Sequence, residues 1–203
     1  MSGNTQIVES FWLARPSTRV APDLLGCSLV RKFPDGETIR AMIVETEAYG
    51  PFDPACHAYA RRTPRNEAMF GPAGRIYVYL IYGMYHCLNV VTDADGVASA
   101  VLIRALQLDA VPQRFSHLPE KARSRLASGP GKLCKVLEID RTLNGLALGT
   151  GEGLRLEHRS EEFQQAIESG TINIVQTSRI GISQGIDLPW RWYIGNYPAV
   201  SKF

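Results

Sequence analysis

The chain's 203 residues fit one domain of ordinary size, and 45% hydrophobic with 21% charged residues excludes a disordered chain and supplies a real core. A net charge of +2 is too mild to mark a nucleic-acid binder by itself. The apolar run Ile76 to Val91 is shorter than a bilayer needs, and the N-terminus lacks a basic region followed by an apolar one, so no membrane span and no secretory signal are expected and the default location is cytoplasmic.

Residues 5–14 read as a short helix and APDLLG at 21–26 as a further helical turn. Residues 27–33 and 38–44 are β-rich and flank PDG, a hairpin signature with a turn mechanism. The second of these strands runs into ETEAYG, which places Glu45 and Glu47 at a strand end, followed by a long proline-rich, charged loop at 50–66. Loops of that length inside compact domains are usually functional.

Residues 75–81 and 86–92 read as a hairpin around Tyr82-Gly83-Met84-Tyr85, with Tyr77, Tyr79 and Ile81 sharing a face. A strand at 97–105, helices at about 109–127 and 131–139, and strands near 153–158, 171–182 and 190–195 complete the chain. Strands and helices in separate runs argue for an α+β fold: one domain over 1–203, with a mostly antiparallel curved sheet, flanking helices and a protruding β-hairpin.

The charges are unevenly spread. Arg61, Arg62, Arg65 and Arg75 face a single acid, Glu67, between residues 61 and 75, whereas 42–58 hold Glu45, Glu47 and Asp53 and no base. That pattern fits a carboxylate set in a polyanion-binding face as well as ordinary surface charge. Glu45 and Glu47 have the same parity and share a strand face, so with Tyr49 and His57 they form a candidate acid/base site. The tyrosine stripe fits core packing, but Tyr82 and Met84 at a hairpin tip have no core of their own. Apolar and aromatic wedges of this kind enter the minor groove and unstack a base step. Cys27, Cys56, Cys87 and Cys134 form no C-x-x-C pair and read as reduced core thiols, and Cys56-His57 with His86-Cys87 point to opposite strand faces rather than to zinc. GPGK at 129–132 lacks the Walker spacing; it is either a helix-helix turn or a helix start that holds one phosphate with Lys132.

VETEAY at 44–49, His57, RRTPRN at 61–66, MFGPAGRIYVYLIYGMYHCLNV at 69–90, IRAL at 103–106, SGPGKLCKVLEI at 128–139 and PWRWYIGN at 189–196 together resemble the alkyladenine (3-methyladenine) DNA glycosylase family over nearly the whole chain. The resemblance implies a monofunctional base-excision repair enzyme that flips alkylated or deaminated purines from double-stranded DNA and hydrolyses the N-glycosidic bond. The lesion class is 3-methyladenine, 7-methylguanine, hypoxanthine and ethenoadenine. Glu47 would activate the water and Arg104 help hold it; Tyr49, His57 and Tyr79 would enclose the base; Asn89 would disfavour the amine of normal guanine. Tyr82, with Met84 beside it, would fill the gap in the duplex, and Arg61, Thr63 and Lys132 would contact the backbone. The VETEAY motif holds no lysine to form a Schiff base, so an abasic product without strand cleavage is expected, with no metal or cofactor and a monomeric protein, nucleoid-associated in a bacterium or nuclear in a eukaryote. Ala58, Tyr59 and His86 depart from the family pattern and leave the order of lesions open. Two rivals stand beside this reading: a non-catalytic single-stranded nucleic-acid binding module, in which Glu47 is idle, and a carbohydrate glycosidase using Glu45 with Glu47, in which the basic segments lack a purpose.

Overall fold

The computed structural model describes residues 6–149 and 153–201. Among them, eight strands form one curved antiparallel sheet: β1 (Ser28–Lys32), β2 (Thr38–Tyr49), β3 (Ile76–Ile81), β4 (Tyr85–Val91), β5 (Ala100–Leu108), β6 (Leu154–Glu157), β7 (Ile174–Thr177) and β8 (Arg191–Ile194). Its order is β3-β4-β5-β2-β1-β6, with β8 pairing β2 and β7 pairing β8. The helices are α1 (Ser10–Leu13), α2 (Ser17–Asp23), α3 (Glu120–Arg123), α4 (Pro130–Val136) and α5 (Glu161–Glu168). The expected α+β class with its antiparallel sheet and hairpin is what the chain forms.

β2 organises the molecule. It pairs with β5 along 41–49 on one side, and on the other with β1 at 38–42 and then with β8 at 45–47. Its burial alternates at first and becomes continuous from Ile43 to Ala48, because both faces of the sheet are covered there. Thr46 Oγ1 donates to Ala21 O of α2 at 2.8 Å, so its neighbours Glu45 and Glu47 point away from α2. A register shift against β5 falls at Glu45. The carboxylates therefore sit within a buried central strand, not at its end, because Glu45–Tyr49 keep their ladder to β5 and β8.

The core lies between the sheet and helices α2 and α4, built from side chains such as Leu24, Leu29, Ile43, Ile103, Leu106 and Leu133, each worth about 1.5–3 kcal/mol on full burial.

Several expected elements are different in the structure. Over 6–14 only Ser10–Leu13 is helical, because Ile7 bridges Glu157 at the sheet edge; residue 5 lies outside the described residues. The helix expected at 109–127 is a 3-10 turn at Gln113–Phe115 and the single turn α3, since Pro112 and Pro119, each without an N–H, start both pieces. The strand expected over 171–182 stops at Thr177, where the chain turns toward Glu47. Helix α5 was not expected, although Ser160, which accepts from Phe163 N–H at 3.2 Å, and Glu161-Glu162 form a legible N-terminus. Pro130 does begin α4.

Candidate active site

Glu45 and Glu47 are both fully buried, and one guanidinium from β5 bridges them: Arg104 Nε lies 3.0 Å from Glu45 Oε1 and its Nη1 3.2 Å from Glu47 Oε1. The parity expectation holds, but the two carboxylates are not equivalent. Glu45 Oε1 also accepts from Arg191 Nε at 2.7 Å and Ser201 Oγ at 2.8 Å, and its Oε2 accepts from the Ser201 N–H at 2.8 Å. Three of these donors converge on Oε1 and the fourth binds Oε2.

Glu47 accepts two hydrogen bonds among the described residues, the Ile180 N–H on Oε1 and the Tyr49 hydroxyl on Oε2, both at 2.8 Å, and Oε1 also forms the ion pair with Arg104. One acceptor position on Oε2 stays open. Burial, reinforced by the neighbouring Glu47 charge, pushes the Tyr49 pKa upward, so its hydroxyl stays protonated and donates. Burial works against the charge of Arg104, yet Glu47 and then Glu45 outweigh it and hold its pKa above the ordinary arginine value.

Tyr49, Arg104 and Ile180 form part of the wall of a cavity of about 770 Å³, within the roughly 300–1,000 Å³ typical of small-molecule sites. His57, Tyr79, Asn89, Tyr82 and Lys132 line it as well. Glu47 itself stands behind the wall, tied to those three wall residues.

The aromatic side follows from β3 alternation. Tyr77 and Tyr79 share a face with ring centroids 5.5 Å apart, and the His57 ring meets Tyr79 edge-on at 4.5 Å. His57 Nδ1 and the Tyr77 hydroxyl are 2.9 Å apart. Burial and then the Arg65 charge hold the His57 pKa below its ordinary 6.5, and burial pushes Tyr77 up to about 12. Asn89 on β4, opposite Tyr77 in the ladder, donates from Nδ2 to Tyr77 O at 3.1 Å, which orients its amide at the cavity floor.

His57 and the arginine-rich loop are brought to the rim by buried Asn66. Its Nδ2 donates to His57 O and Arg61 O, both at 2.9 Å, and its Oδ1 accepts the Thr63 N–H at 2.7 Å. Arg61 and Thr63 themselves do not line the cavity.

At the hairpin tip the Met84 N–H returns to Ile81 O at 3.2 Å across Tyr82 and Gly83, both with positive φ, 52° and 69°. Glycine adopts that backbone freely; a tyrosine there is strained by about 1–3 kcal/mol. Tyr82 is nonetheless 81% exposed and Met84 67%. Behind them Tyr85 lies on Gly131 of α4, where an added Cβ would come within 2.9 Å of the ring. This close approach, with the Ala105–Ser128 bridge to β5, brings Lys132 to the cavity rim.

Ile180, Arg191 and Ser201 had no local signal as site residues. Arg191 falls within PWRWYIGN; Ile180 acts through its backbone N–H, and Ser201 through both its N–H and its hydroxyl, pairings that composition does not reveal.

Residues 11–198 match the family model described as methylpurine-DNA glycosylase. A relative from Trichodesmium erythraeum (strain IMS101) is 57% identical over 204 residues, covering 98% of this chain and 99% of its own. Others from Synechococcus sp. (strain JA-3-3Ab), 54% identical over 95% of this chain and 97% of the relative, and from Methanocella arvoryzae, 47% over 93% and 92%, are similar along the same length. All three carry the provisional name 3-methyladenine DNA glycosylase. A family match over this span, together with relatives of this identity and coverage, means that the chain belongs to the methylpurine-DNA glycosylase family.

Proposed function

We propose that the cavity receives a damaged purine extruded from duplex DNA and that Glu47 activates the water that displaces it from the sugar. Family membership sets the class, a DNA glycosylase hydrolase with DNA as substrate. The finer reading rests on one observation: of the two buried carboxylates beside Arg104, Glu47 is held by Tyr49 and Ile180, which line the cavity, whereas Glu45 is held by Arg191 and Ser201, which do not. That difference also disfavours a two-carboxylate carbohydrate glycosidase, which needs both groups at the substrate.

In this reading Arg104 holds the water beside Glu47, and Tyr49, His57 and Tyr79 enclose the base. A purine alkylated as in 3-methyladenine or 7-methylguanine is cationic in the nucleotide, so electron-rich rings favour it over its neutral parent and its charge makes it a good leaving group, whereas neutral hypoxanthine and ethenoadenine need a proton or hydrogen bond at the base. Asn89, its amide plane set by Tyr77 O, opposes the amine of guanine. Tyr82 and Met84 enter the stack, and Arg61, Thr63 and Lys132 contact phosphates. Extrusion costs a few kcal/mol, least for a damaged base, and stacking returns about 1–3 kcal/mol per base. The expected lesions are 3-methyladenine, 7-methylguanine, hypoxanthine and ethenoadenine. Direct attack by water inverts the anomeric carbon and leaves an abasic site in an intact strand.

The test is a duplex carrying one hypoxanthine or 1,N6-ethenoadenine, incubated with wild type and with Glu47→Gln and assayed for free base, with and without alkali. Release by wild type alone, with strand breaks only after alkali, supports the reading. Equal release by both proteins would sink the role of Glu47.

A further inference from the structure

The proposed reaction leaves one fully buried ion pair beside the site without a task. Asp53 lies in the turn after β2 and Arg179 just past β7, 126 residues away, and neither side chain reaches solvent. Arg179 forks onto Asp53, Nη1 to Oδ2 and Nη2 to Oδ1, the latter at 2.8 Å. Nη1 also donates to Ala48 O at 2.9 Å, on the residue between Glu47 and Tyr49. Its guanidinium carbon is 4.7 Å from the Tyr49 ring centroid and 5.3 Å from that of Trp190.

The next residue, Ile180, donates its N–H to Glu47 Oε1 at 2.8 Å, and the Tyr49 hydroxyl donates to Oε2 at 2.8 Å. Arg179 and its neighbour thus hold three consecutive positions of β2. A buried ion pair adds little stability over well-packed apolar residues. It supplies direction instead: the bidentate fork fixes the plane of the guanidinium, and that plane sets the ring lying against it.

We propose that Arg179, locked by Asp53, is a positioning residue for hydrolysis: it sets the Tyr49 ring and the Ile180 N–H, which together hold both oxygens of Glu47. The inference rests on Glu47 being the base. A displacement of the base by about 1 Å costs on the order of 100-fold in rate. Lysine in place of Arg179 keeps the charge but loses the planar fork and the stack. Asparagine in place of Asp53 keeps the shape and loses the charge that locks the fork.

Two quantities separate positioning from general structure: the single-turnover rate on a hypoxanthine duplex at saturating enzyme, and the affinity for a duplex carrying an uncleavable tetrahydrofuran abasic-site analogue. For Arg179→Lys and Asp53→Asn the rate is expected to fall about 30- to 100-fold, with affinity within about threefold and cooperative unfolding retained. Wild-type rates in both variants would overturn the proposal, as would a loss of affinity as large as the loss of rate. If a single variant does not fold, Asp53→Asn/Arg179→Gln removes both charges together and leaves no buried charge unpaired; a wild-type rate in it also overturns the proposal. Glu47→Gln is run alongside. Full activity in that variant removes the base itself, whereas its inactivity beside normal Arg179 variants removes only this inference.

Discussion

Arg104 Nη1 stands 3.2 Å from Glu47 Oε1, with both side chains shielded from solvent. The same guanidinium uses Nε for Glu45, so one cation serves two buried anions. Removing it leaves Glu47 with the Ile180 N–H and Tyr49, and Glu45 with Arg191 and Ser201, as partial compensation. Breaking a buried pair costs about 3–5 kcal/mol, and these remaining donors place Arg104→Gln at the low end. Urea unfolding is expected to show that loss, smaller for Arg104→Lys, which keeps the charge but not the fork. An Arg104→Gln protein as stable as wild type would contradict the ion-pair account.

The two glutamates should part company when each is replaced by glutamine. In Glu47→Gln the retained oxygen can accept from Arg104 and the Ile180 N–H, while the new amide donates to the Tyr49 oxygen, whose hydroxyl can turn. In Glu45→Gln the amide nitrogen replaces an oxygen that accepts the backbone N–H of Ser201, which cannot turn, and a buried donor is left unpaired. Such a group costs about 1–3 kcal/mol. The expected result is a Glu45→Gln protein less stable by that amount and a Glu47→Gln protein within about 1 kcal/mol of wild type. Equal destabilisation of the two would show that the donor inventory does not govern either.

How much of this was legible in the sequence depended on the range of the interaction. Strand alternation put Glu45 and Glu47 on one face and Tyr77 beside Tyr79, and the structure keeps both relationships. What separates the glutamates is remote: Arg191 and Ser201 lie 146 and 156 residues beyond Glu45. No local pattern encodes such a pairing. The segment 109–127 carried helical spacing, but Pro112 and Pro119 outweighed it. Arg179 gave no signal because its partner Asp53 belongs to a different loop, and the strand before it is only four residues long.

His57 should titrate below 6.5, because burial and then Arg65 oppose its protonation. Between the lowered folded value and the ordinary value of the unfolded chain, the unfolded state binds more protons, so stability rises with pH across that window and is lost as pH falls through the folded pKa. Above pH 6.5 the imidazole is neutral in both states and this dependence ends. An NMR titration of the His57 ring is expected to give a midpoint below 6.5, moving upward in Arg65→Gln as the cationic neighbour is removed. A midpoint that does not move would show that the Arg65 charge is screened at the rim.

Tyr82 combines two costs that a folding requirement alone does not explain: a left-handed backbone and a ring 81% exposed at the tip of the β3–β4 hairpin. Local strain of this kind concentrates at functional positions. If the ring occupies the vacated stack, its loss removes about 1–3 kcal/mol, roughly 5- to 150-fold in the population of the extruded state. Tyr82→Ser is therefore expected to keep stability within about 0.5 kcal/mol of wild type, since the ring makes little contact in the free protein. Its excision rate on a hypoxanthine duplex should fall at least about tenfold, and less on the same lesion in a single strand, where no partner base has to be separated. Met84, 67% exposed on the same turn, should show a smaller loss on duplex when replaced by alanine, because a thioether offers less stacking surface than a phenol. The comparison of duplex with single strand decides the matter: an equal loss on both would move Tyr82 from the duplex gap to the base pocket.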